Sequence, residues 1–146
     1  MVDVTEKASA NRTAVAAGTL RTSGQVVQLI SAGGLAKGDA LATARVAGIL
    51  AAKRTSDLIP LCHQLALTGI DVDFTVRETD VDITATVRST DRTGVEMEAM
   101  TACTTAALTV YDMCKSSDRT MTIEQVALWE KSGGRSGPWR RPEPAS

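Results

Sequence analysis

Two stretches in which apolar and polar residues strictly alternate, at 70–77 and 81–88, place the strongest constraint on how this 146-residue chain can fold. In IDVDFTVR and VDITATVR every second side chain is apolar, which is the period of a β-strand with one buried face. The polar turn residues RETD join the two stretches. The pattern therefore predicts an antiparallel β-hairpin with one face in the core and the other toward solvent.

Helical periodicity appears on both sides of the hairpin. Residues 37–54 place apolar side chains at helical spacing behind Asp39, a favourable N-cap, and they are rich in Ala and Gly. Residues 93–115 predict a longer helix, with Thr93 and Glu96 spaced as a capping box. The first of these helices is expected to be well buried and to pack closely through its small residues.

The remaining segments complete an α+β order. A first strand is predicted over 13–20, a short helix over 24–34 and a last strand over 121–131. The order strand, helix pair, strand, strand, helix, strand predicts one antiparallel sheet with helices packed on one face. The length fits one domain, which we assign to residues 1–137, and residues 138–146 are expected to form a flexible basic tail.

The composition argues against several classes of partner. The 16 Lys and Arg residues nearly balance the 17 Asp and Glu residues, so no strong field favours nucleic acid or an anionic membrane. Aromatic residues make up 3% of the chain, too few for a base-stacking platform, and no apolar run approaches the ~20 residues that span a bilayer. The absence of a CxxC pair and of a signal peptide favours reduced thiols in a cytoplasmic protein. One histidine and no Cys pair also argue against a structural zinc site.

His63 is the only histidine of the chain and lies in the apolar segment LIPLCHQL, 58–65. Histidine is the side chain that ordinarily titrates near neutral pH. The residue is therefore either a core histidine with a satisfied hydrogen bond or a ligand-facing group at the end of a buried segment. The local sequence leaves both interpretations open.

Asp112 and Lys115 of YDMCK are three positions apart on the longer predicted helix and therefore on one side of it. Such a pair is either an exposed ion pair that contributes little or an acid–base pair that faces a cleft. The spacing alone does not decide between the two.

Basic residues concentrate on predicted loops and helix ends. Lys37 precedes a helix N-terminus, whose free N–H groups attract phosphate. KSGGRSG, 131–137, resembles a phosphate-binding loop in composition only, because it lacks the spacing and the following helix of a P-loop. Glu96 and Glu98 also have structural explanations: Glu96 belongs to the predicted capping box, and acidic side chains such as Glu98 are favoured in the first turn of a helix. Together these residues predict a small anionic ligand handled by acid–base chemistry.

Four segments together resemble one family: MVDV in a polar arm over 1–12, then KGDALATARVAGILAAKRTSDLIPLCHQL, GVEMEAMTACTTAALTVYDMCK and KSGGRSG. They are similar to the cyclic pyranopterin monophosphate synthase family, molybdenum cofactor biosynthesis protein C. The resemblance implies a ferredoxin-like βαββαβ sandwich and a homohexamer, a trimer of dimers, with the active site at the dimer interface. It also implies a lyase that converts 3′,8-cyclo-7,8-dihydro-GTP to cyclic pyranopterin monophosphate and releases diphosphate. No metal or organic redox cofactor is implied, and whether Mg²⁺ accompanies the triphosphate stays open.

The resemblance implies roles for individual residues. The residues implied to be catalytic are Asp112, Lys115 and Lys131. The residues implied to contact substrate are Leu61, Cys62, His63, Met97 and Glu98. The basic residues implied to hold the triphosphate are Lys37, Lys53 and Arg12.

The chain departs from the family pattern at two positions. Gln64 stands where the family usually has proline, which could loosen the turn that aims His63. Arg135 stands where lysine is common and keeps the charge. Two other functions stay open: a nucleotide-binding or regulatory module without turnover, and a degenerate paralogue that serves as a structural subunit.

Overall fold

Strands of the computed structural model, which describes residues 1–144, form one antiparallel sheet: β1 (Ala10–Arg21), β2 (Leu67–Val76), β3 (Asp80–Asp91), β4 (Thr122–Ser132) and β5 (Trp139–Arg140). Their order across the sheet is β2-β3-β1-β4-β5. β2 and β3 are the predicted hairpin, with Val72 opposite Ala85 and Phe74 opposite Ile83. The hairpin and the ferredoxin-like α+β fold are therefore confirmed.

The helices are α1 (Gly24–Ala32), α2 (Ala40–Lys53), α3 (Thr55–Leu58) and α4 (Glu96–Cys114). The predicted N-cap of α2 is confirmed, because Asp39 Oδ1 accepts a hydrogen bond from the Ala42 N–H at 3.0 Å. Gly33 is the C-cap of α1: its backbone is left-handed (φ 68°), its N–H donates to the Ile30 carbonyl, and the Gly34 N–H donates to the Leu29 carbonyl. The sequence does not predict the single turn α3, which lies just before the stop signal Pro60.

The predicted capping box of the longer helix is wrong. α4 begins at Glu96 behind Val95, and no side chain caps its N-terminus. Val95 is 1% exposed, so this helix start is fixed by core packing and not by a hydroxyl cap. The Glu96 carboxylate is consequently free to pair elsewhere and binds Lys131.

The core between sheet and helices is rich in alanine and also contains valine, leucine and isoleucine. β1 and α4 are in contact, and Ala14 and Ala16 of β1 and Ala102 and Ala106 of α4 are all fully buried. Gly48 lies where α2 meets α4, and a Cβ placed there would lie 3.0 Å from the Ala102 carbonyl oxygen. The two helices therefore approach more closely than any larger residue at this position would allow.

Gly48→Val is expected to lower the free energy of unfolding by about 1–3 kcal/mol, because the added carbons meet the backbone of α4 as well as the side chains of Val72 and Ala106. Ala42→Val is the matched control, since Ala42 is an exposed position of the same helix. Denaturant unfolding of both variants measures the difference. Equal stability of the two variants would contradict the close contact.

β5 continues the sheet into the segment expected to be a tail. Its two residues pair with Glu130 and Lys131 of β4, and the Arg141 N–H donates to the Trp129 carbonyl at 2.8 Å. Without β5, the backbone N–H and C=O groups on this edge of β4 would have no partner strand, which explains why the following segment pairs there. Residues 145–146 of the predicted tail lie outside the described residues. Within residues 1–144, no helix has the length and apolar character needed to cross a bilayer.

Candidate functional site

The C-terminal end of α4 carries the first group of predicted site residues. Asp112 Oδ1 accepts from Lys115 Nζ at 2.7 Å, and Asp112 Oδ2 accepts from Lys37 Nζ at 2.7 Å. The i,i+3 spacing places Asp112 and Lys115 together, and the loop before α2 brings Lys37 to the same carboxylate. Lys37, assigned to triphosphate binding by resemblance, thus lies beside two residues assigned to catalysis.

Asp112 is a carboxylate shared by two ammonium groups. Hydrogen bonds from Lys115 and then Lys37 lower the pKa of Asp112 from 3.8 to about 2. About half of each side chain is exposed, so solvent screens the ion pairs and they contribute little to stability. The arrangement holds two cations side by side, which suits it to anion binding and to proton transfer.

The shared carboxylate predicts a pH dependence. The folded-state pKa lies below the unfolded value near 3.8, so Asp112 stabilises the fold above that pH, and its contribution is lost as the pH falls through about 2. Lys115→Met should therefore move the titration of Asp112 up toward 3.8. Carboxyl ¹³C shifts during an acid titration measure this, with Arg77→Met as the control that leaves Asp112 unchanged, because Arg77 pairs with Asp82 at the hairpin turn. An unmoved Asp112 titration in Lys115→Met would contradict the geometry.

A groove of about 610 Å³ between the N-terminal arm and the loop after β4 contains the second group. Its charged side chains are five basic (Lys7, Arg12, Arg92, Lys131 and Arg135) and two acidic (Glu6 and Glu96). Lys131 Nζ donates to Glu96 Oε1 at 3.0 Å, and both side chains are less than a third exposed. The groove therefore carries a net positive charge of three, five minus two.

Arg12 is fixed in this groove by backbone groups. Its Nε donates to the Asp91 carbonyl at 2.9 Å and its Nη2 to the Arg92 carbonyl at 3.1 Å. Gly134 has a left-handed backbone (φ 77°), and a Cβ there would lie 2.2 Å from Arg12 Nη1. Gly134 thus lets the loop backbone lie directly against the guanidinium.

A smaller pocket of about 200 Å³ near the start of α4 contains the third group, with Lys53, His63 and Glu98 among its lining residues. Glu98 is 4% exposed, although a residue in the first turn of a helix could have remained at the surface. Burial chiefly raises the pKa of Glu98, its own backbone N–H opposes the shift, and the Glu96 charge adds to it. Glu98 is thus a carboxyl group that holds a proton more readily than usual.

The LCH segment lies beside this pocket. His63 is half-buried, and its Nε2 lies 2.7 Å from the backbone oxygen of Val2. Burial, and then the Glu98 charge, raise the pKa of the Cys62 thiol. Leu61 is 70% exposed and Met97 41% exposed, so both apolar side chains reach the surface next to the pocket.

Within one chain, these groups lie at opposite ends of α4. Glu98 and Asp112 are 14 positions apart, which is about 21 Å at ~1.5 Å per residue. The groove and the smaller pocket lie at the N-terminal end, and the Asp112 cluster lies at the C-terminal end. One chain therefore brings Arg12 and Lys131 together, and Lys53, His63 and Glu98 together, but does not bring Lys131 to Asp112 and Lys115.

Sequence reasoning missed two basic residues of the groove, Lys7 and Arg92. Arg92 directly precedes the TGVEME segment and follows β3, which could have marked it as a basic group at a strand end. Lys7 lies in the arm and has no comparable signal. Within residues 1–144, no group of three or more His, Cys, Asp or Glu side chains could hold a metal ion.

Comparison with known proteins places this arrangement in a family. The MoaC family matches residues 1–134. A protein of Mycobacterium tuberculosis named cyclic pyranopterin monophosphate synthase 2 is 72% identical over 141 residues, 97% of this chain and 84% of that protein. Proteins named cyclic pyranopterin monophosphate synthase from Thermomicrobium roseum and Streptomyces griseus are 57% and 55% identical, over 97% and 99% of this chain and 86% and 81% of theirs. The chain belongs to the MoaC family.

Proposed function

We propose that this chain is a cyclic pyranopterin monophosphate synthase. It converts 3′,8-cyclo-7,8-dihydro-GTP to cyclic pyranopterin monophosphate and releases diphosphate. The observation that carries the proposal is the basic groove, in which Arg12 and Lys131 lie against a glycine loop in a chain of the MoaC family. The names of the relatives support the same reaction.

The groove suits the triphosphate of this substrate. A triphosphate requires several cations, and the anchored guanidinium of Arg12 can present its remaining N–H groups to phosphate oxygens. Lys53 lines the adjoining pocket, close to His63, Glu98 and the exposed Met97. Cations that neutralise the departing diphosphate make it a better leaving group.

The Asp112 cluster suits the proton transfers. Opening the purine-derived ring and closing the pterin ring both require protons to move to and from the substrate. The Asp112 carboxylate stays ionised and holds the Lys115 ammonium at 2.7 Å, so Lys115 is oriented as a proton donor. Lys131, paired with Glu96, supplies a second ammonium from the groove.

A complete site requires two chains. The Asp112 cluster lies about 21 Å along α4 from Glu98. We therefore place the cluster of one subunit against the groove of its partner, within a homohexamer built as a trimer of dimers. The exposed apolar side chains Val46, Leu50 and Leu108 on the outer faces of α2 and α4 support burial by another subunit.

The test is a coupled assay. The purified protein is incubated with enzymatically made 3′,8-cyclo-7,8-dihydro-GTP, then cyclic pyranopterin monophosphate is detected by mass spectrometry and diphosphate is measured in parallel. Both products are expected together. Binding of the substrate without either product would overturn the proposal and favour a regulatory module.

A further inference from the structure

His63 is held by the backbone of the N-terminal arm and not by another side chain. Its Nε2 lies 2.7 Å from the Val2 backbone oxygen. A carbonyl oxygen can only accept a hydrogen bond, so Nε2 must carry the proton. The hydrogen bonds within residues 1–144 leave Nδ1 without a partner, so Nδ1 is the ring nitrogen that is open to a ligand.

We propose that the segment Met1–Val4 is a positioning element for His63. The Val2 carbonyl holds the ring as its Nε2–H tautomer and leaves Nδ1 free to accept a hydrogen bond from the ligand. The identity of that ligand rests on the proposed function, whereas the tautomer and its dependence on the arm do not.

Hydrogen bonds order the turn of the arm that directly follows Val2. Asp3 Oδ1 accepts from the Thr5 N–H at 2.9 Å and from Thr5 Oγ1 at 2.6 Å, and the Lys7 N–H donates to the Val4 carbonyl at 3.0 Å. Arg92 Nη1 donates to the Thr5 carbonyl at 3.1 Å, which ties the same turn to the end of β3. Asp3 therefore closes a turn directly after the residue that binds His63.

The tautomer matters because the hydrogen bond made by one ring nitrogen decides what the other can do. A ring held in the wrong tautomer offers a donor where the ligand requires an acceptor, and catalytic histidines lose most of their effect in that state. The pocket next to His63 also contains the ionisable side chains of Lys53, Asp57 and Glu98. A bond to a neutral backbone oxygen fixes the ring without adding another charge to this pocket.

The experiment uses the sole histidine as its own probe. Full-length ¹⁵N-labelled protein, a variant without residues 1–4, Asp3→Ala and Asp3→Asn are compared by long-range ¹H–¹⁵N NMR of the imidazole ring. We expect the full chain to show a protonated Nε2 whose proton exchanges slowly with water. Removal of residues 1–4 should speed that exchange by about tenfold or more, and Asp3→Ala should have a smaller effect in the same direction.

Asp3→Asn is the matched control, because its amide oxygen can accept the same two bonds from Thr5. It should restore slow exchange. On the 3′,8-cyclo-7,8-dihydro-GTP substrate, Asp3→Ala should lose about tenfold in kcat/KM and Asp3→Asn should not. A protonated Nδ1, or exchange at Nε2 that is unchanged without residues 1–4, would overturn the proposal. A full chain without synthase activity would refute the proposed function alone, since the NMR result still decides the role of the arm.

Discussion

Lys115→Ala is expected to abolish formation of cyclic pyranopterin monophosphate, with a rate about 10²–10⁴-fold lower than that of the unaltered protein. The substitution removes the ammonium group that Asp112 orients at 2.7 Å. The Lys115 side chain is 56% exposed at the end of α4, so the fold should survive its loss. The coupled assay measures the rate, and circular dichroism and thermal unfolding report the fold.

Arg77→Ala serves as the matched control for this substitution. Arg77 also pairs with a carboxylate, that of Asp82, but it lies at the hairpin turn, away from every group of the candidate site. Its loss should leave the rate within about twofold, because an exposed ion pair of this kind contributes little. Near-normal product formation by Lys115→Ala would remove Lys115 from the mechanism.

A mixture of Lys115→Ala and Lys131→Ala should recover activity that neither variant has alone. If each site takes the Asp112 cluster from one subunit and the groove from its partner, a mixed dimer contains one site with both substitutions and one intact site. Random exchange of subunits would then leave about one quarter of all sites intact. The two variants are mixed, allowed to exchange subunits under mild denaturation, and assayed for both products.

A second mixture tests whether recovery depends on which group each variant lacks. Lys115→Ala and Asp112→Asn alter the same cluster, so every site in their mixed dimers lacks a working cluster. This mixture should stay inactive. If native mass spectrometry shows that subunits have exchanged and the first mixture is still no more active than the second, the site lies within one chain.

The fold was largely predictable because its signals are local. The strands over 70–77 and 81–88 can be recognised from the two-residue period of their apolar side chains alone. Asp39 can be recognised as an N-cap from its position directly before a helical pattern. The capping box at Thr93 failed because Val95, two positions later, is buried at 1% exposure and sets the start of α4. Tertiary packing there outweighs a local hydrogen bond that the spacing alone makes plausible.

The arrangement of the site was less predictable because it depends on distances between distant segments. Asp112 and Lys115 could be paired from their spacing, but nothing in KGD indicates that Lys37 folds back onto the same carboxylate. The buried state of Glu98 and the bond from His63 to Val2 likewise depend on how the arm and α4 meet the sheet. The catalytic role of the assigned residues stays a prediction until the variants are assayed.

The pair of Glu96 and Lys131 has a consequence for how the groove selects its occupant. In the unliganded groove the Lys131 ammonium already donates a hydrogen bond to the Glu96 carboxylate at 3.0 Å. An anion that binds Lys131 must therefore compete with this carboxylate. A triphosphate carries several charges that can also contact the other cations of the groove, so it should displace Glu96 more readily than a single phosphate would. If the reaction proposed above divides that triphosphate into a cyclic monophosphate and free diphosphate, each product carries fewer charges and should bind the groove less tightly. We therefore expect the Glu96–Lys131 ion pair to form again after the reaction. This pairing would favour release of the products and limit product inhibition.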